Sequence, residues 1–411
     1  MISPTPLDFT ATPRNATSRP MRGRSDFHRL TAGMAGTLAA GLSLVSLLAG
    51  PIEFIRLPPG GMQPQLEVDA RQDIHCLWLD GEPASANVRY ANVHGTNGFP
   101  ARAIQVNSQA GSALAIGTIR GPQFALGPSG TVHVVWNGSG TAIPKPPKGS
   151  PLLYSRFVPG TAGFEPQRNL IHGTADLDGG GGIAADPAGH VYAFWHAGDG
   201  AVQTREDRRK VYVAESIDGG AIFAAERPIT RDGGACGCCG LRAGTDAAGH
   251  LFVAYRGARE MIHRETILLQ SIDAGATFQS LPLQDWATGS CPMSLPAIGR
   301  LGSKTQIAWE TEGRIYSRTF PEASSSSPAT AQTAIVPGPG ARLPALASNS
   351  RGETLLVWTE GTGWNRGGRL GWRLLDRFGT PTDQGGIREG IPVWSFAAVV
   401  ARSDDSFLVV Y

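Results

Sequence analysis

One pattern recurs from residue 68 to the end of this 411-residue chain. Its copies read VDARQDIHCLW, LGPSGTVHVVW, ADPAGHVYAFW, TDAAGHLFVAY, IGRLGSKTQIAW, ASNSRGETLLVW and ARSDDSFLVVY. Each ends on an aromatic: Trp78, Trp136, Trp195, Tyr255, Trp309, Trp358 and Tyr411. Six residues before the aromatic lies a turn position, filled in four copies by Gly130, Gly189, Gly249 and Gly352. A turn of small or polar residues followed by a β-rich run is a hairpin. A hairpin repeated every roughly fifty to sixty residues is the signature of a propeller blade. The run to the aromatic forms the two inner strands. Two further strands follow, as in KVYVAESIDGGAIFAAERPI and ETILLQSIDAGATFQSLPLQ. The 54 glycines and 30 prolines supply the turns of such a chain. The expected fold is therefore all-β: a β-propeller of four-stranded blades over residues 51–411, preferred to an array of β-sandwiches. Seven blades are expected, with six as the alternative. The last hairpin ends at Tyr411, so the ring is expected to close when IEFIRL (52–57) lends the seventh blade an outer strand; otherwise the chain is a fragment. KPPKGSP (145–151) and the serines at 324–327 read as loop insertions.

The N-terminus stands apart. Residues 1–29 are polar and carry Arg14, Arg19, Arg22, Arg24 and Arg29 against Asp8 and Asp26. TAGMAGTLAAGLSLVSLLAG (31–50) follows without a charge, about the length of a bilayer-spanning helix. The basic flank places its N-terminus in the cytoplasm. Residues 30–50 thus read as a signal anchor or signal peptide. Pro51 directly after them makes a poor cleavage site, which favours the anchor. The propeller is then exported, periplasmic or extracellular, into a compartment where disulfides persist. A net charge of +2 gives no argument for a nucleic-acid partner, and no phosphate-cradling glycine loop precedes a helix. No pattern in the sequence specifies an oligomeric state.

SIDGGAIF (216–223) and SIDAGATF (271–278) both match S-x-D-x-G-x-x-F, with Ser216, Asp218, Gly220 and Phe223, then Ser271, Asp273, Gly275 and Phe278. Weaker echoes occur in NVHGTNGF and PGTAGF. The motif resembles the Asp-box, or BNR repeat, of the sialidase superfamily, and the resemblance covers roughly residues 60–411. It implies a turn between the two outer strands of a blade, remote from a catalytic face. In such a turn the Asp can accept backbone amides, the Gly supplies an unusual angle and the aromatic packs into the fold.

RDGGACGCCGLRAG (231–244) holds three of the chain's five cysteines. Aligned on the repeat, Cys236, Cys238 and Cys239 fall between the third and fourth blades, and Cys291 of WATGSCPMS falls at the matching junction one blade later. Such junctions gather on one face, so the four are expected to be neighbours. Cys76 lies within an inner strand as packing. Three readings stay open. Cys291 can form a disulfide with one of the trio. The four sulfurs, with Met293, can bind copper or zinc. A free cysteine can be a nucleophile, helped by Arg242 or a nearby His.

The residue after each aromatic varies: Leu79, Asn137, His196, Arg256, Glu310 and Thr359. These are expected to ring one end of the inner hairpins, with His196, Arg256 and Glu310 flanking the cysteines. His172, Arg259, Asp285 and Trp286, with Glu260, lie in loops expected at the same face. Convergent His, Arg and Glu in a concave site suit an anionic or sugar-like ligand. The sialidase resemblance implies an arginine triad for a carboxylate, a tyrosine–glutamate pair and an acid–base aspartate. Here Arg56, from IRLPP, with Arg256 and Arg259 are the candidate carboxylate binders, and Glu310 is the candidate acid–base group. Tyr255 is more simply a blade aromatic. CGCCG, YRGAREMIHRETILLQS, SCPMS and AWET set the chain apart from the sialidase pattern. The leading expectation is recognition of an extracytoplasmic glycan or other anion. An exo-glycosidase of sialidase type and a copper- or zinc-thiolate protein are the alternatives.

Overall fold

The computed structural model describes residues 50–93, 103–198, 205–231, 234–321, 333–336 and 338–411. The basic segment 1–29, almost all of the apolar segment 30–50, most of NVHGTNGF and the serines at 324–327 lie outside the described residues. Among the described residues, all strands fall into seven sheets, six of four strands and one of three. The only helical element there is one 3-10 turn, Glu206–Arg208. No described helix is long and apolar enough to cross a membrane.

The protein is a seven-bladed β-propeller. Its inner strands are Gly61–Val68, Gln123–Leu126, Gly182–Ala185, Arg242–Thr245, Ala297–Leu301, Ala341–Ser348 and Ala398–Ala401. Each pairs antiparallel with the strand that follows it in the chain. These second strands carry the repeated aromatics and are buried along nearly their whole length, as in Val191–Ala197. The reason is the geometry of a blade, whose faces both press on neighbours. In blade 3, Val191, Ala193 and Trp195 pack with Tyr154 and Leu152 of blade 2. The alternate residues Tyr192 and Phe194 pack with Leu251, Val253 and Tyr255 of blade 4. Both phases of the strand period are thus apolar.

The four hairpin glycines all hold left-handed backbone: Gly130 at φ 78°, Gly189 at 91°, Gly249 at 85° and Gly352 at 81°. In blades 3 and 4 the turn is braced by Asp186 and Asp246, which accept the backbone N–H and face the imidazole of His190 and His250.

The seventh blade has three strands. Ile52–Ile55 runs parallel to Phe407–Val410, from Ile52 opposite Phe407 to Ile55 opposite Val410. It takes the third position, directly on the second strand, so the N-terminal segment supplies one of the two outer strands of this blade. KPPKGSP is a loop between Val132–Asn137 and Leu152–Phe157 of blade 2.

The S-x-D-x-G-x-x-F stretches are the turns between third and outer strands in blades 3 and 4. Ser216 Oγ donates to Asp218 Oδ1 at 2.7 Å and accepts from Gly220 N at 2.9 Å, while Ile222 N donates to Asp218 at 2.9 Å. Ser271, Asp273, Gly275 and Thr277 repeat the network. The aromatic reaches the preceding blade. Phe223 stands edge-on to Tyr154 at 4.8 Å, Phe278 to Phe194 at 6.2 Å, and Phe164 of PGTAGF to Tyr90 at 5.6 Å. Arg168 and Arg227 donate across the same boundaries to the carbonyls of Gly220 and Gly275. The turns thus bolt blades 2, 3 and 4 each to its predecessor.

The inner strands line an axial channel of about 440 Å³. Ile119, Leu295, Leu343 and Phe396 form a buried apolar cluster at the end where the inner strands begin.

Candidate functional site

The second strands end, and the inner strands begin, on one face. The cysteine loop reaches that face after Arg227–Pro228 and before Arg242–Thr245. The Cys291 loop lies between Gln279–Gln284 and Ala297–Leu301. The two junctions meet, and Cys238 is disulfide-bonded to Cys291, tying the entry of blade 4 to that of blade 5. Cys76, Cys236 and Cys239 are free thiols, all buried.

The loop is fixed by its backbone. Cys236 N donates to Arg256 O at 2.9 Å, Cys239 N to Cys236 O at 3.2 Å, and Gly240 N to Ser294 O at 3.0 Å. Gly237 N donates to Glu206 Oε1 at 2.7 Å, and Glu206 Oε2 pairs with Arg264 at 2.7 Å. The junction before blade 3 slides against this loop at Gly179, where a Cβ would stand 1.9 Å from Cys239 O. Only glycine permits that approach.

Cys236 Sγ lies 3.0 Å from Cys239 Sγ and 3.4 Å from Cys238 Sγ. The three sulfurs of the CGCC loop fall within 4.8 Å of one another, a donor set that could bind a soft metal. Arg256 and Ser294 face Cys239, with Ser294 Oγ 3.6 Å from its sulfur. Burial pushes the Cys239 thiol up. The Cys236 hydrogen bond, the Arg256 charge and Ser294 outweigh it and hold the group at about 7. The hydrogen bond with Cys239, with burial behind it, pushes Cys236 the other way. When this pair loses one proton, the other is held between the two sulfurs across their 3.0 Å contact.

His196, Arg256 and Glu310 do sit at the ends of consecutive second strands, and all three are buried beneath the junction loops. His196 Nε2 faces Cys239 O at 2.7 Å. Arg256 is spent inside the fold: Nε donates to Ser294 Oγ at 3.1 Å, Nη1 to Arg264 O at 2.9 Å and Nη2 to Glu310 O. Its guanidinium lies 5.3 Å from the centre of the Trp286 ring. Glu310 Oε1 accepts Gly313 N at 2.9 Å, whereas Oε2 is buried without a partner. Burial raises the Glu310 carboxyl, and Gly313 N–H, Arg256 and Arg342 only partly offset it.

The loop residues divide. Arg259, paired with Glu265 at 2.9 Å, and Asp285, 3.3 Å from His263 Nδ1, are exposed beside the half-buried Trp286. Glu260 stands 3.6 Å from Arg259. His172 is exposed at the blade 2–3 junction, where Glu226 accepts its backbone N–H. Met293, at φ 48°, sends its methyl towards Gly117 in the loop before blade 2. Arg56 keeps different company altogether, donating to Glu389 O of blade 6 and lying 5.3 Å over the Tyr411 ring. Sequence reading missed Ser294, Arg264, Glu206 and His263. Ser294 and His263 stood inside segments already singled out, SCPMS and YRGAREMIHRETILLQS; Glu206 had no such signal.

No protein-family model matches the chain, and no curated protein matches it by sequence. Solved structures do match in shape. A Hadza microbial sialidase, Hz136, is 14% identical, with 82% of this chain and 76% of that one covered at a TM-score of 0.50. The NanB sialidase of Streptococcus pneumoniae, as its K499G mutant, is 9% identical, with 81% and 79% covered at 0.51. A Dyadobacter fermentans protein of unknown function is 11% identical, with 83% and 98% covered at 0.49. At such identities the likeness concerns the fold, and the chain has a sialidase-like β-propeller fold.

Proposed function

We propose that this chain recognises an extracytoplasmic glycan or other anionic ligand at the blade 3–5 end of the cysteine face. The observation that carries the reading is the contrast between Arg256 and its surroundings. Arg256 is buried, is engaged by three protein acceptors and lies against the Trp286 ring. Trp286 remains half-buried, with Arg259, His263 and Asp285 at the surface beside it. An aromatic platform ringed by charged hydrogen-bonding groups suits a sugar, whose C–H faces stack while its hydroxyls or carboxylate find polar partners. The sialidase names of the fold neighbours make a sugar ligand a natural first choice. Export and anchoring are part of this proposal and rest on the apolar run at 31–50. The test is a glycan array probed with labelled full-length protein: the expected result is retention on a definable glycan class, lost in Trp286→Ala.

A second reading, exo-glycosidase action, draws on Glu310, a buried carboxyl raised above its usual range next to an arginine. It requires turnover of a fluorogenic glycoside that Glu310→Gln abolishes. A third, a thiolate-bound copper or zinc, draws on the sulfur cluster. Cys238 is already bonded to Cys291, so a third sulfur ligand requires that bond to open. Stoichiometric metal in protein purified under reducing conditions would support it.

A further inference from the structure

The four cysteines of the working face form a continuous line of sulfur. It starts at Cys239, buried under Arg256 and Ser294. It passes to Cys236 at 3.0 Å and then to Cys238 at 3.4 Å. Through the disulfide it ends at Cys291, which is exposed. A structural tie needs only the last two. The other two are free thiols clustered behind the bond, the three loop sulfurs all within 4.8 Å of one another, and the ligand-recognition reading makes no use of them.

We propose that Cys239, Cys236, Cys238 and Cys291 form a thiol–disulfide relay, a site that passes an electron pair between a buried dithiol and a surface disulfide and exchanges it there with an external thiol or disulfide. Thiolate attack on a disulfide sulfur is the elementary step. Cys236 gives its proton to the Cys239 sulfur across their hydrogen bond and becomes the nucleophile. Its sulfur attacks Cys238 Sγ; the Cys236–Cys238 bond forms, the Cys238–Cys291 bond breaks, and Cys291 leaves as a thiolate at the surface. Cys239 then releases its proton, which Cys291 takes up through solvent. The Cys239 thiolate attacks Cys236 Sγ, forming Cys236–Cys239 and releasing Cys238 as a thiolate. One disulfide is consumed and one formed, the charge is unchanged, and no outside oxidant enters. The buried pair has been oxidised and the surface pair reduced. An external disulfide RSSR completes the exchange. Cys291 returns its proton to solvent and its thiolate attacks RSSR, expelling RS⁻, which takes up that proton; Cys238 thiolate then attacks the Cys291 sulfur of the mixed disulfide and expels the second RS⁻.

The surroundings suit this role. Ser294 Oγ stands 3.6 Å from the Cys239 sulfur and holds the inner end of the sulfur chain next to Cys236. The outlet is Cys291, where an external thiol can reach. Cys76, buried in blade 1 and outside this line, serves as an internal control.

The test is disulfide mapping of the full chain equilibrated with reduced and oxidised glutathione at graded ratios, quenched in acid, alkylated and analysed by mass spectrometry. The relay predicts molecules in which Cys236 is bonded to Cys239 while Cys238 and Cys291 are alkylated. In Cys239→Ser the transfer stops at Cys236–Cys238, with Cys291 alone released. Cys76 stays unpaired throughout. A wild-type chain that passes from Cys238–Cys291 straight to free thiols, with Cys236 never paired, overturns the relay. So does a reduced chain holding one equivalent of copper or zinc that protects Cys236 and Cys239 and forms no bond between them. The wild-type map decides the matter even if the serine variant does not fold.

Discussion

His196 Nε2 lies 2.7 Å from the backbone oxygen of Cys239, joining a strand end of blade 3 to the cysteine loop. A carbonyl can only accept, so Nε2 carries a proton. Nδ1 is buried without a partner. Burial and the nearby Arg209 hold the group down at about 4, below the ordinary 6.5. His133, buried against Tyr154 and near Arg156, is likewise held at about 4.

The sign of the pH effect follows. A folded-state value below the unfolded one gives stability that is complete above pH 6.5 and declines as pH falls towards 4, because only the unfolded chain takes up the proton. Each histidine accounts for on the order of 2–3 kcal/mol. Thermal denaturation between pH 8 and pH 4 should show the decline. His196→Gln, which keeps a donor for Cys239 O, should flatten it; an unchanged slope contradicts the assignment.

Glu67 produces the opposite trend. It lines the axial channel, where confinement raises its carboxyl to about 7 and Arg242 and Arg300 only partly compensate. A carboxyl raised in the folded state gives stability that is complete below pH 4.5 and is lost as pH rises through 7. Glu67→Gln should therefore raise the melting temperature at pH 8 more than at pH 5. Equal shifts at both would show that the carboxyl is not perturbed.

At the blade 2–3 boundary the test concerns packing. A Cβ on Gly220 would stand 2.0 Å from Tyr154 Oη, in backbone at φ 79°. Gly220→Ala should cost about 2–4 kcal/mol, from the contact and the backbone strain together. Tyr154→Phe removes the contacted oxygen and should recover part of that loss. A double-mutant cycle by urea denaturation reads the coupling; additivity would mean that the boundary relaxes elsewhere.

The Cys238–Cys291 bond closes a loop with a sequence separation of 53. Loop-closure entropy makes it worth about 4 kcal/mol. Cys291→Ser should lower the midpoint of denaturation and make it insensitive to reductant. A wild-type midpoint that ignores reductant would contradict the tie.

Much of this architecture was legible in the sequence. A second strand squeezed between two blades must be apolar in both phases and is filled by bulky aromatics, so Trp136, Trp195 and Trp309 announced it. Turn glycines, needing left-handed backbone, marked the hairpins. The meeting of Cys291 with the CGCC loop also followed from the repeat, because equivalent junctions share a face. The choice of Cys238 as its partner did not. That choice depends on Arg256, Ser294 and Glu206, which turn Cys236 and Cys239 inward and come from three separate segments. The ring of His196, Arg256 and Glu310 was placed correctly at the strand ends, but its burial was hidden. Loops around residues 179, 239 and 294 fold over it, and single-strand patterns carry no information on such covering. Arg56 was singled out from a short echo, IRLPP, and its local partners lie in blades 6 and 7.

The most direct test of ligand recognition is isothermal titration of the full chain with sialylated and neutral oligosaccharides, beside Trp286→Ala and Arg259→Ala. The account predicts saturable binding of one of these classes, weakened at least about tenfold in both variants. No binding of either class, or binding that both variants leave intact, would contradict it.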